Sequence, residues 1–430
     1  MSRRGSKYTV GLIVLGACVL MLASCATTKT PTSLPGAPVV SQLEYRHDAD
    51  MMKDMHVGSS YNELSPRARE KLTGEPAYVS RKPLYGHVKL GNGKDTKYTF
   101  VIDESRGTRS GYDTFYIDAN NNQDLTDDPK LTGTLPPENP FSAEFPTVEL
   151  KVECDGKIFP YHVKPHVYSS NRASVSLSTA GYCEGQVTLD GKTYKVAVFD
   201  DSMNGCFNEF YTSPQEYGRS GSIYGVGDTM MIDLNGDGKF DKKVGYTPEV
   251  FHLGKYLPWG GRCYEVKVSA DGRSLSLTES TAPSGFVKTQ CAANYSAELL
   301  GEAGAVKLQG EAKVKVPAGK YRLVTCTAEA KDKEGKTWRL TGAGSWKHPE
   351  LNVQAGKATA LSFGPPLVAK VTYSRTNPSE IGFNLQLTGV RNEEYTAGGI
   401  TRDGEGLPPP RFEVRDSKGD MVTSGSFQYG

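Results

Sequence analysis

Almost everything that would announce a reaction is missing from this sequence. It has no Gly-x-Ser-x-Gly nucleophile elbow, no phosphate-binding loop and no dinucleotide fingerprint. No two of its eight cysteines are spaced Cys-x-x-Cys, which removes ribbon-type zinc sites and dithiol redox centres. An excess of charge of one sign is lacking as well. Fifty Lys and Arg stand against 49 Asp and Glu, a balance that gives no reason to expect nucleic acid as a partner. Only one apolar run is long, Val10 to Leu22, and it is shorter than the ~20 residues a bilayer span needs. Helix signals are scarce.

The apolar run does have a use. Arg3, Arg4 and Lys7 precede it, and Leu22-Ala23-Ser24-Cys25 follows. A basic start, a short greasy middle and small residues describe a secretory leader. The last four residues resemble the lipobox of bacterial lipoproteins. That resemblance implies cleavage after residue 24, a diacylglycerol on Cys25 and an exported protein held to a membrane by its lipid. In such lipoproteins an Asp after the cysteine favours inner-membrane retention. Ala26 stands there, so the outer membrane of the envelope is the expected address in a two-membrane cell. Cys18 leaves with the leader, and Cys154, Cys183, Cys206, Cys263, Cys291 and Cys326 remain. An oxidising compartment permits disulfides among them, buried free thiols are the other outcome, and sequence does not choose the pairing.

Residues 25–78 read as a lipid-anchored tether, rich in Thr, Pro, Ser, Gly and Ala as far as Val40, with a short helix expected at Arg67 to Leu72 behind Ser65-Pro66. From Val79 the text is all-β. Runs such as Tyr98 to Ile102, Thr114 to Ile117, Thr147 to Val152, Tyr194 to Phe199 and Tyr264 to Val268 alternate with turn dipeptides such as Asp190-Gly191 and Asp271-Gly272. An internal repeat is visible. Gly86 to Leu90, Val101-Ile102-Asp103-Glu104-Ser105 and Asp113 to Asp118 answer Gly185 to Leu189, Val198-Phe199-Asp200-Asp201-Ser202 and Asp228 to Asp233. Residues 79–280 are therefore expected to form a duplicated β unit, a sandwich or barrel-like domain. Residues 281–430, which divide again near Pro366, look similar to immunoglobulin-like or transthyretin-like sandwiches, a likeness of architecture that carries no activity.

Both repeats run into an acidic loop. The second is Asp233-Leu234-Asn235-Gly236-Asp237-Gly238-Lys239-Phe240-Asp241, with oxygen-bearing side chains at positions 1, 3, 5 and 9, Gly at 6 and an apolar residue at 8. It resembles the calcium loop of EF-hands and dockerins. Ca²⁺ takes six to eight hard oxygens, and alternating acidic and amide residues in a tight loop can aim theirs at one centre. The resemblance implies Asp233, Asn235, Asp237, the carbonyl of Lys239 and Asp241 as ligands. The first copy supplies Asp118, Asn120, Asn122, Asp124 and Asp128, with Gln123 in place of Gly. A third stretch, Asp200 to Glu209, keeps Gly205 and Phe207 in register. The departures are clear. Position 12, where EF-hands carry a bidentate Glu, holds Pro129, Val244 or Tyr211, so Asp127 or Asp128, and Asp241 or Glu249, would have to complete the shell. The flanks read as strands, so no helix–loop–helix fold is implied. Without metal the same text makes solvated Asx turns.

His162 and His166 are four apart with Pro165 between them, which does not build a helical zinc pair. Trp259 and Trp346 lie near glycines and serve either packing or sugar stacking. The chain thus reads as a membrane-anchored, calcium-stabilised envelope module that binds or supports an envelope protein or polysaccharide. Its rival is a carbohydrate hydrolase built from scattered carboxylates such as Asp200 and Asp201.

Overall fold

The computed structural model describes residues 38–52, 58–107, 111–136, 138–139, 141–169, 172–212, 225–241, 248–290, 294–345, 347–377 and 380–427. The leader, Cys25, the tether text up to residue 37, Cys291 and Trp346 lie outside them. Among the described residues the fold is all-β, of sandwich type, with one four-residue helix at Ala49–Met52.

The amino-terminal strands are β1 (Val39–Gln42), β2 (Glu44–Arg46), β3 (Ser59–Asn62), β4 (Leu84–Lys89), β5 (Lys97–Asp103), β6 (Thr114–Ile117), β7 (Leu131–Thr132), β8 (Ser142–Glu144) and β9 (Val148–Cys154). There follow β10 (Lys157–Tyr168), β11 (Ser174–Thr179), β12 (Tyr182–Leu189), β13 (Lys192–Phe199), β14 (Thr229–Ile232), β15 (Val250–His252), β16 (Tyr256–Trp259), β17 (Arg262–Val268) and β18 (Ser274–Glu279). They make four sheets, ordered β1-β18-β17-β16, β15-β14-β13-β12-β2, β4-β5-β6-β7, and β3-β11-β10-β8 with β9 also on β10.

Alternation sets which face is buried. In β9, Val148, Leu150, Val152 and Cys154 point inward, while Glu149 and Lys151 are exposed. The β12–β13 hairpin closes on Asp190 (φ 49°) and Gly191 (φ 78°), the left-handed pair that a two-residue primed turn requires. The side chains of all four sheets meet in one core that runs from Leu43 to Leu277. Phe100 stacks on Phe115 and Phe145 leans against Phe115 within it, with centroid separations of 5.3 and 5.5 Å. Phe115 is fully buried, and its truncation to Ala costs about 3–5 kcal/mol.

A second core, Val287 to Tyr395, lies between a nine-stranded sheet and the three-stranded sheet of Lys313–Pro317, Ser284–Thr289 and Ala358–Leu361. The two cores are stitched by Tyr211, Leu300, Ala305 and Val324 and by a contact between half-buried His252 and buried Glu298, Nδ1 to Oε2 at 2.6 Å.

Two expectations change, and one question left open is answered. Residues 39–62, expected in the tether, supply β1, β2 and β3 to three different sheets, because Leu43 and its neighbours have an apolar floor to bury against. Arg67 to Leu72 is not a helix. The Ser65 hydroxyl turns back onto the main chain of Arg67, Ser65 pairs with Tyr85, and six residues are too few to offset helix nucleation. Of the cysteines, Cys154 and Cys206 form a disulfide across 52 residues, while Cys183, Cys263 and Cys326 are buried thiols.

Candidate functional site

The acidic loops sit at matching places in two four-stranded meanders. In the first, Gly86 pairs with Phe100, Phe100 with Ile117 and Phe115 with Leu131. In the second, Gly185 pairs with Val196, Val196 with Ile232 and Met230 with Phe251. The two ladders correspond strand for strand, and each extends to a fourth strand, β7 or β15, beyond the text that repeats in sequence. The ladder also moves the alignment by one residue: Glu104, not Asp103, answers Asp200. Letter similarity matched Asp with Asp, but hydrogen bonding sets the register. The Asp118 N–H donates to the Thr99 carbonyl at 2.9 Å, and the Asp233 N–H to that of Lys195 at 3.0 Å.

The three acidic stretches share one backbone. Positions 4 and 6 are left-handed in each: Asn121 and Gln123 (φ 56° and 67°), Gly236 and Gly238 (78° and 81°), Met203 and Gly205 (53° and 85°). The position-1 carboxylate accepts the position-6 N–H every time, from Gln123 at 2.8 Å, Gly238 at 2.9 Å and Gly205 at 2.6 Å. The position-5 side chain accepts the position-7 N–H at 2.8 Å in all three, through Asn122, Asp237 and Asn204. Position 8 is the apolar anchor: Leu125, Phe240 and Phe207 are all buried. The alternation of oxygens is thus explained first by Asx turns, in which the side chain satisfies a main-chain N–H two residues on, at position 5 in all three stretches and at position 3 in the first two, while position 1 reaches across to position 6.

What differs is the distant acid that closes each loop. In the first, Asp128 Oδ1 accepts the Ala119 N–H at 3.1 Å, while its Oδ2 is buried with no hydrogen-bond partner among the described residues. Burial pushes the Asp128 carboxyl up to about 6, and burial also raises Asp118. In the second loop Glu249 takes the corresponding role. One oxygen accepts the Leu234 and Asn235 N–H groups at 2.9 and 3.4 Å, and the other accepts that of Asp241 at 2.8 Å. A lysine serves this loop too. Lys195 Nζ donates to the Gly238 carbonyl at 3.1 Å and pairs with Glu184 at 2.9 Å. Its counterpart in the first meander is Thr99.

In the third stretch Asp200 is fully buried and accepts from Tyr161, Ser202, Asn204 and Gly205. Asp228 Oδ2 accepts the Glu209 N–H at 2.7 Å, and Oδ1 is buried without a partner among the described residues. Burial first, and then the charge of Asp200, hold Asp228 far above the usual carboxylate range. The disulfide fastens Cys206 of this loop to β9, and the Asn204 carbonyl accepts the Gly91 N–H at 2.6 Å. Asp200 is sealed from solvent and therefore from any substrate.

Among the described residues no group of three His, Cys, Asp or Glu is arranged to hold a metal ion. The donors of the first loop nevertheless fit calcium in kind. They are all hard oxygens, and one of them, Asp128 Oδ2, is buried unsatisfied. The second loop fits less well, because Glu249 has filled both oxygens with N–H donors where Asp128 has not; Asp118 and Asp233 are alike in filling both of theirs.

Sequence reasoning offered Asp127 or Asp128, and Asp241 or Glu249, as completing acids without choosing; Asp127 takes the Asn120 and Asn122 amides and Asp241 donates its N–H to Glu249, while the parts of Lys195, Glu104 and Asp228, which depend on strand pairing, were missed. His162 and His166 part company: His166 Nε2 lies 2.7 Å from Ser142 Oγ, whereas His162 stacks on His47 at 4.1 Å. Trp259 packs edge-on against Tyr194 at 5.0 Å. Comparison of the chain with protein-family models, with curated proteins and with solved structures finds no match.

Proposed function

We propose that the chain is a lipid-anchored protein of the bacterial envelope, outer membrane by preference, whose acidic β loops are stiffened by calcium and hold a binding or structural module. The anchor rests on the leader and the Leu22-Ala23-Ser24-Cys25 text. The observation that carries the calcium reading is the buried, unpartnered Asp128 Oδ2 in a loop of hard oxygens. Asp118, Asn120, Asn122, Asp124 and Asp128 would hold the ion. Asp233, Asn235, Asp237, the Lys239 carbonyl and Asp241 form a second, weaker position that Lys195 already serves with positive charge. Bound calcium would supply the countercharge that the first loop lacks. Affinity of extracellular modules is weak, about 10⁻⁴–10⁻³ M, which suits a calcium-rich exterior.

Thermal unfolding of the full chain tests this. Several millimolar calcium is expected to stabilise it by about 1–2 kcal/mol relative to chelator, and an unchanged midpoint overturns the calcium reading. Mass spectrometry of the membrane fraction should find a diacylglyceryl group on Cys25, and Cys25→Ser should release the chain from the membrane. An unmodified Cys25 overturns the anchor.

A further inference from the structure

A groove of about 640 Å³ opens beside the second acidic loop. It is lined by the β12–β13 hairpin, by the crossing from β1 to β2, and by the loop itself through Asp233, Gly236 and Gly238. The opening exists because the chain leaves β12 early. β2 pairs with β12 only from Tyr182 to Glu184, and at Leu43 the chain crosses to another sheet, where β1 pairs with β18. Gly185 allows that crossing to lie close: a Cβ there would meet Leu43 Cδ2 at 2.6 Å and the Gln42 carbonyl at 2.8 Å.

The charges lining the groove cancel. Glu44, Glu184 and Asp233 stand against Arg46, Lys192 and Lys195. They are also spent on one another. Arg46 reaches Glu44 at 2.8 Å and Glu184 at 3.7 Å, and Lys195 reaches Glu184 at 2.9 Å. Asp233 is occupied by the loop's own N–H groups, and the Lys192 ammonium lies 4.6 Å from the centre of the Tyr194 ring. A polyanion would need an uncompensated excess of positive charge. An apolar ligand would need a lining dominated by hydrophobic side chains. What remains are neutral donors and acceptors, Gln42, Gln186 and Thr193, whose hydroxyl meets that of Thr188 at 3.0 Å and keeps capacity for a further bond, ion pairs that expose further hydrogen-bonding atoms, and Tyr194, half-buried against the core and braced by Trp259. Hydroxyl groups both donate and accept, so a polyol can bridge such pairs without a net charge.

We propose that this groove binds a neutral glycan. The proposal rests on the reading of the chain as an envelope-anchored binding module and names its ligand class. The loop belongs to the site because Gly236 and Gly238 form part of the lining, so the Asp233 turn shapes the groove.

The test is a binding screen of the full lipidated chain in a sugar-free detergent against an array of neutral glucans, mannans, xylans and galactans, with polygalacturonate and heparin as charged members. At least one neutral glycan is expected to bind saturably with Kd of about 1 mM or tighter, with little change when salt is raised. The double variant Gln186→Ala/Thr193→Val, at two exposed positions, should weaken binding at least tenfold and leave the unfolding midpoint unmoved. Binding of no glycan, binding of charged polymers alone, or neutral binding that survives the double variant overturns the proposal. The lipid on Cys25 and the calcium shift are read on the same preparation. A lipidated, calcium-responsive chain that binds no glycan therefore overturns the groove alone, and a chain that binds glycan through the groove but carries no lipid overturns the anchor alone.

Discussion

The loops at Asp118 and Asp233 share a backbone, a hydrogen-bond plan and a place in equivalent meanders, yet they solve the problem of their charge differently. In the second, Glu249 fills both oxygens with three N–H donors, Gly238 takes the left-handed position without strain, and Lys195 brings an ammonium to the loop carbonyl. In the first, Asp128 leaves an oxygen buried with no hydrogen-bond partner among the described residues, Gln123 sits at φ 67°, and the lysine is replaced by Thr99. Identical geometry therefore does not mean identical need. One loop is closed by the protein's own groups, and the other keeps one carboxylate oxygen buried without a hydrogen-bond partner among the described residues. The better sequence match to a calcium loop is the one whose acids are the more fully hydrogen-bonded.

The largest test of this contrast is Glu249→Ala. It strips the partner from three N–H groups beside a nearly sealed side chain and should cost about 4 kcal/mol of unfolding free energy. Asp128→Ala, measured by the same urea titration in chelator, should cost far less because it frees only the Ala119 N–H. Comparable losses would erase the contrast.

The third stretch extends it to pH. Asp228 has its folded pKa raised, by burial and then by Asp200. The folded chain thus keeps a proton that the unfolded chain releases above the usual carboxylate pKa of about 4. Stability from this group is fully present below that value and falls as pH rises through neutrality, by about 1.4 kcal/mol per pH unit, until the folded group ionises. Asp228→Asn should flatten the slope, so that urea midpoints at pH 5 and pH 7 lie closer together than in the parent. An unchanged slope would remove Asp228 from the account.

Smaller effects are expected from exchanging the loops' distinguishing residues. Lys195→Met takes the ammonium from the second loop and should raise its calcium affinity about tenfold, read by calorimetry. Gln123→Gly relieves a left-handed Gln and should stabilise the first loop by about 1 kcal/mol, while Gly238→Gln should cost the second a similar amount. If both substitutions move stability in the same direction, the loops do not share the backbone described.

The strands were legible because alternation is local. Val148 to Cys154 declares its buried face residue by residue, and Asp190-Gly191 declares its turn. Position 6 was legible for the same reason: glycine marks the left-handed φ in two of three loops, and the third is recognisable through Asp118 and Asn122. What was hidden depends on pairing across the chain. Lys195 reaches Gly238 only because β13 lies beside β14. Glu104 answers Asp200 only through the ladder, and nothing near Cys154 points to Cys206. The short helix failed for the opposite reason, since a plausible local signal at Ser65-Pro66 was overridden by pairing with Tyr85.

The most direct measurement is a calorimetric titration of calcium into the chelator-stripped full chain and into its Asp128→Asn variant. The parent should show one dominant binding event with Kd of about 10⁻⁴–10⁻³ M, and the variant should lose it. No event in the parent, or an event that survives Asp128→Asn and disappears in Asp237→Asn, would contradict the assignment of the cation to the first loop.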